Sequence, residues 1–212
     1  MITVHHLNTS RSQRILWLLE ELGVDYEMVR YKRDAQTRLA PPELTDIHLL
    51  GKSPVVTDGE VKIHESGAIT AYLVRKYGDG KLAPAPDSAD FVRYLEWLHY
   101  SEGSAMLPLM LHLYCSRLGD AAAPLRPRID SETANHFSFM NGAMNGRDYF
   151  VGDSLTGADI MMSFPLEIAE ARGVLDDYPA LQAWADRVHA RPAYVAALEK
   201  SDDYGIGLFG GR

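Results

Sequence analysis

The spacing of apolar and polar positions changes character near residue 80. The chain opens with "MITVHHL", a short β-rich run. In "ILWLLEELG", Ile15, Leu18, Leu19 and Leu22 fall at i, i+3, i+4 and i+7, one face of a helix. Gly23 stands where a helix places its left-handed terminating residue. "VDYEMVRY" reads as a second strand, so the opening is β-α-β, which favours a parallel pair with a right-handed crossover. "KRDAQTRLAPPELTDIHLLGK" is polar and irregular, with a short helix expected near Pro42 to Ile47. "SPVVTDGEVKIHES" reads as two strands around an Asp58-Gly59 turn. "SGAITAYLVRKYG" reads as a helix ending at Gly78.

After "DGKLAPAPDSA", a linker rich in Gly, Pro and Ala, the strand signals stop. "FVRYLEWLHYSEG" places Phe91, Tyr94, Leu95 and Leu98 on one helical face, and Pro108 is expected to kink its continuation toward Leu118. A second helix is expected within residues 125–145. In "SLTGADI", Thr156 and Asp159 have the spacing of a capping box, with Leu155 and Ile160 as a hydrophobic staple. "PALQAWADRVHAR" carries Leu181, Trp184 and Val188 at helical spacing, and "PAYVAALEK" is expected to continue it. The expected organisation is an α/β domain over residues 1–80, a linker over 81–87 and an all-helical domain over 88–212.

Composition narrows the function. Apolar residues make up 46% and charged residues 24%, enough for a packed core. The net charge of −8 disfavours a nucleic-acid partner, which requires a basic stripe, and an anionic membrane surface. The first residues lack the charged and apolar regions of a signal peptide. No apolar run approaches the ~18 residues of a membrane span. Cys115 is the only cysteine, so the chain has no internal disulfide and no CxxC pair for redox or zinc chemistry. A cytoplasmic protein is expected.

Several residues stand out. "GKSPVV" sets Pro54 beside a strand, where a residue without an N–H is rarely placed. Ser66 suits a helix N-cap. "SRSQ" reads as a capping box of Ser10 with Gln13. Together, Ser10 and Arg14, then Lys52, Pro54 and Val55 in "GKSPVV", Glu65 and Ser66 in "HESGAI", and Thr156 and Asp159 in "SLTGADI" resemble the glutathione transferases. The resemblance spans essentially the whole chain. It implies a thioredoxin-like domain followed by an all-helical one.

The resemblance also implies roles. Ser53-Pro54 would be cis, and the N–H and C=O of Val55 would pair with the cysteinyl backbone of glutathione. Lys52, with His48, would hold the glycyl carboxylate. Ser66 would hold the γ-glutamyl carboxylate and Glu65 the ammonium. Ser10 would donate a hydrogen bond to the glutathione thiolate, with Asn8, Thr9 and Ser12 as neighbours able to replace it and Arg11 adding positive potential. No tyrosine lies within residues 1–25 and no cysteine at the helix start, which leaves the serine type. The capping reading of Ser10 is compatible with this role, because an oxygen that accepts from the backbone can still donate its own proton.

The resemblance puts a hydrophobic electrophile against "HYSEGSAMLPLMLHLYCSR". Ser104, Pro108, Leu111 and Tyr114 are the lining candidates, and a plain core helix is the alternative. His5 and His6 are read as packing or surface residues, with no metal site. Trp17, Trp97 and Trp184 are read as core anchors, and Cys115 as a small buried apolar residue. The expected activity is attack of the glutathione thiolate on apolar electrophiles, with peroxide reduction as a variant. The alternative is a non-catalytic glutathione-binding or protein-interaction module. A homodimer is implied. The tail "DDYGIGLFGGR" either folds over the site or frays.

Overall fold

β-branched runs with period-2 alternation need neighbours for their ladders, and here they find them in one sheet. In a computed structural model that describes residues 1–201, β1 (Ile2–Leu7), β2 (Tyr26–Tyr31), β3 (Val55–Asp58) and β4 (Val61–His64) form a sheet of order β2-β1-β3-β4. β1 runs parallel to β2, in register Ile2 to Tyr26 through Leu7 to Tyr31. β3 is antiparallel to both β1 and β4. Helices α1 (Ser12–Leu22), α2 (Leu44–Ile47) and α3 (Ser66–Tyr77) complete the thioredoxin-like arrangement that the resemblance implied.

α1 is buried on more than the face its periodicity marks. Ile15, Leu16, Trp17, Leu18 and Leu19 are all fully buried. A helix that is apolar all round needs cover on two sides. The second cover is the last described helix, α9 (Pro192–Lys200), which packs on α1. Trp17 meets Tyr194 edge to face at 5.3 Å, and Arg191 grips Glu21 through two hydrogen bonds.

The contacts therefore divide the described chain into residues 1–83 with 189–201, and residues 84–188. This corrects the expectation that residues 181–200 form one helix inside a domain running from 88 onward. α8 (Pro179–His189) ends, and Arg191, which precedes Pro192, is extended with φ −71° and ψ 133°. The proline ring disfavours the helical conformation in the residue before it, and here the chain turns extended at Arg191.

The helical unit contains α4 (Ala89–Tyr100), α5 (Met106–Ser116), α6 (Arg126–Met144), α7 (Gly157–Ala171) and α8. α4 and α5 are joined by a π-helical turn, Ser101–Ala105. The expected irregularity thus lies before Pro108. A proline has no N–H for the carbonyl four residues back, and the wider turn accommodates the missing bond. The capping box at α7 is present, with the Thr156 side chain accepting from Ala158 N–H and Asp159 from Thr156 N–H. Asp159 is fully buried and also accepts from Phe150 N–H and Trp184 Nε1–H. Burial pushes its carboxyl up, and these donors pull it back. Trp17 and Trp184 are fully buried and Trp97 nearly so, as expected of core anchors, and Cys115 is buried. Among the described residues no helix is long and apolar enough to cross a membrane. The glycine-rich tail lies outside the described residues.

Candidate functional site

Several of the expected residues of the first unit lie at the ends of β1, α1 and α3, and others on the loop before β3. The loop from β1 to α1 is held in an unusual shape: Thr9 has φ 51°, a left-handed conformation that a β-branched residue adopts only under constraint. The constraint is Arg33. Its backbone N–H donates to Asn8 Oδ1 at 2.8 Å, and its guanidinium donates to the carbonyls of Asn8, Thr9 and Arg38. Burial, with Arg38 and Arg11 close by, pushes the Arg33 guanidinium down. The loop therefore carries a concentration of positive charge, and the Asn8 side chain is committed to holding it. Sequence reasoning missed Arg33, whose partners lie 24 and 25 positions earlier.

Ser10 is buried at the entry to α1, and its Oγ accepts from Ser12 N–H at 3.2 Å. The Ser10–Gln13 capping box is not formed. The Gln13 side chain is buried and makes no hydrogen bond among the described residues. Ser12 Oγ instead lies 2.7 Å from Ser10 Oγ and 2.8 Å from Nδ1 of His6, so the two serines and His6 form a buried chain. His6 was read only as packing or surface, because a strand histidine carries no local signal of its partner.

The Ser53-Pro54 bond is cis, as the resemblance implied. Ser53 Oγ donates to His5 C=O at 2.8 Å and accepts from Leu7 N–H at 3.2 Å, tying the turn to β1. The role implied for the Val55 backbone needs correction. β3 is an interior strand, and Val55 is paired with His5 on one side and His64 on the other. Its N–H and C=O thus face existing strands and offer no edge to an added one. Ser53, just before the ladder, makes no backbone–backbone bond among the described residues.

Glu65 has φ 68° and ψ 114° and occupies the N-cap position of α3, its C=O accepting from Ile69 N–H. Ser66 is therefore the first helical residue and not the cap. It is buried, and its Oγ accepts from Arg14 at 3.3 Å, which gives Arg14 a partner 52 positions away. Lys52 is exposed. His48 is half-buried and lies against His64, with ring centroids 4.0 Å apart.

In the helical unit the four lining candidates do not share one surface. Pro108 is buried with Met106 and Leu109, because α5 turns that face into the unit's core. Ser104 lines a cleft of about 930 Å³ with Trp97, Tyr100, Phe139 and Arg147. Leu111 and Tyr114 lie outside that cleft, exposed with Leu107 along α5 and with Leu118 just beyond its end.

Comparison with known proteins agrees with this geometry. Residues 1–75 match the profile of the glutathione S-transferase N-terminal domain, and residues 105–192 that of the C-terminal domain. Glutathione S-transferase 1 of Saccharomyces cerevisiae is 37% identical over 95% of each chain. A solved glutathione S-transferase of Actinobacillus pleuropneumoniae is 34% identical, with a TM-score of 0.85 over all of both chains. A sphingomonad glutathione S-transferase, solved in complex with glutathione, is 26% identical, with a TM-score of 0.77 over 94% of this chain and 98% of its own.

Proposed function

Because the chain belongs to the glutathione S-transferase family, we propose that it activates glutathione with the Ser10 hydroxyl and transfers it to apolar electrophiles. The family assigns the activity, glutathione transferase, and the co-substrate. The residue roles are our reading, and one observation carries them: Ser10 Oγ is buried at the entry to α1 and anchored by Ser12 N–H. An oxygen held as an acceptor keeps its proton for a neighbour. Lowering a thiol pKa from ~8.5 to ~6.5 requires about 2.7 kcal/mol of preference for the thiolate. A hydrogen bond to a charged group is worth roughly 1.5–3 kcal/mol, so one hydroxyl is of the right size. The helix N-terminus and the arginines around the loop act in the same direction.

The remaining groups divide the tripeptide. Lys52, exposed and beside the cis turn, suits the glycyl carboxylate, with His48 as a second donor. The backbone of Ser53 replaces that of Val55 as partner for the cysteinyl residue. Ser66 and the free N–H groups of α3 suit the γ-glutamyl carboxylate, and Glu65 suits the ammonium. The exposed row Leu107, Leu111, Tyr114 and Leu118 suits an apolar electrophile. The same thiolate would also reduce a peroxide. We place the protein in the cytoplasm as a homodimer. Val92, Leu95 and Phe139 leave exposed apolar surface on α4 and α6 that a second copy would cover.

The test is calorimetric titration of glutathione into wild type and Ser10→Ala, with thiolate absorbance read in parallel. Binding by both, with thiolate only in wild type, is the expected result. Equal thiolate in both removes Ser10 as the activator. Absence of binding by wild type favours the protein-interaction alternative.

A further inference from the structure

We propose that His6, acting through Ser12, sets the direction in which the Ser10 hydroxyl points and so makes it a donor to the glutathione sulfur. This rests on Ser10 being the activating group. The inference follows from counting protons along the buried chain His6–Ser12–Ser10, whose members are 2%, 0% and 4% exposed.

Each hydroxyl has one proton to give and two lone pairs to fill. Ser12 Oγ has four neighbours in reach. Leu7 N–H, shared with Ser53 Oγ at 3.2 Å, donates to it at 3.3 Å, Leu7 C=O can accept from it at 3.2 Å, His6 Nδ1 lies at 2.8 Å and Ser10 Oγ at 2.7 Å. When His6 carries its proton on Nδ1, it donates to Ser12. The lone pairs of Ser12 are then filled by Leu7 N–H and His6, and its own proton goes to the nearest acceptor, Ser10 Oγ. Ser10 in turn accepts from both Ser12 N–H and Ser12 Oγ–H. Its lone pairs are full, and its proton points away from the chain.

With the proton on Nε2 instead, the chain reverses. Nδ1 becomes an acceptor and takes the Ser12 proton, and Ser12 offers its free lone pair to Ser10. The Ser10 proton is drawn inward, and the sulfur loses its donor. The tautomer of His6 thus decides whether the same three side chains help or hinder. No proton leaves the chain in either arrangement, since the hydrogen bonds only reorient and the thiol loses its proton to water. His6 and Ser12 are positioning residues that touch neither substrate.

The experiment measures the pKa of enzyme-bound glutathione from thiolate absorbance against pH, together with the glutathione Kd. Ser12→Ala and His6→Leu are expected to raise the thiol pKa by about one unit, a tenfold fall in the thiolate-to-thiol ratio, with Kd changed less than about threefold. His6→Asn, whose amide nitrogen occupies the Nδ1 position, is expected to restore the wild-type value. A merely structural role would not give that rescue. Ser10→Ala separates the two readings. If it leaves the pKa unchanged, the Ser10 reading itself fails. If it raises the pKa while Ser12→Ala and His6→Leu do not, only the relay fails. Nitrogen-15 NMR of wild type needs no variant: a His6 proton on Nδ1 supports the relay, and one on Nε2 overturns it.

Discussion

Replacing Asp159 by alanine tests whether the buried carboxylate holds the helical unit together. Its Oδ1 accepts from Phe150 N–H at 2.9 Å and Trp184 Nε1–H at 3.1 Å, and its Oδ2 from Thr156 N–H at 2.9 Å and the Thr156 hydroxyl at 3.0 Å. The substitution leaves two backbone N–H groups and one indole N–H buried without an acceptor. At the low end of the unsatisfied-donor cost, with water entering the vacated space, these and the weakened cap amount to about 3–4 kcal/mol. For a chain of this length that is a fall in Tm of roughly 10 °C. Asp159→Asn would recover little, because it turns one oxygen into a donor aimed at donors. Thermal melts followed by circular dichroism at pH 7 give the comparison. Trp184→Phe removes the indole N–H, and its hydrogen-bond cost of about 1 kcal/mol should vanish in the Asp159→Ala background. A Tm for Asp159→Ala within about 3 °C of wild type would refute the reasoning. Glutathione affinity, measured well below the melt, should not move, since no chemistry is assigned to this residue.

Asp58 accepts from Lys76, Tyr77 and Tyr72, with Lys76 foremost in holding its carboxyl down, to about 2 from 3.8. The group is more ionised in the folded chain than in the unfolded one, so its contribution is full above pH 3.8 and is lost as the pH falls through about 2. Denaturant titrations of wild type and Asp58→Asn should diverge above that window and converge below it. Arg191→Ala breaks the two bonds to Glu21, at 2.5 and 2.8 Å, and should cost about 1–2 kcal/mol for a partly buried bidentate pair. Hydrogen exchange should then speed up in residues 192–200 before it does in the sheet, and uniform change across the unit would argue against a separable α9 contact. Lys52→Ala should raise the glutathione Kd roughly tenfold with kcat nearly unchanged, as loss of one charge-assisted contact requires. Leu111→Ser should raise KM for an apolar electrophile several-fold and leave KM for glutathione alone, and the reverse pattern would remove the α5 row from the electrophile site.

What the sequence determined by itself was everything governed by short spacing. The order of strands and helices follows from periods of 2 and 3.6, and the α7 cap needs only Thr156 and Asp159 three positions apart. The cis turn at Ser53-Pro54 was legible only through the family resemblance that "GKSPVV" helps to carry. The tertiary structure decided whatever depends on partners far apart in the chain. Val55 lost its implied role because β3 settled between β1 and β4, and no local pattern specifies strand order. Pro108 was placed on a pocket wall but faces the core, since the π-helical turn before it resets the helix face. Residues 192–200 looked like the continuation of a helix, yet they cover α1 from 170 positions away, because the chain turns extended at Arg191 ahead of Pro192 and α1 needed a second apolar cover. His6 and Ser12 became partners of Ser10 only when β1 and α1 came to share an end. A hydrogen bond is a matter of a few tenths of an ångström, and folding alone brings such distances about.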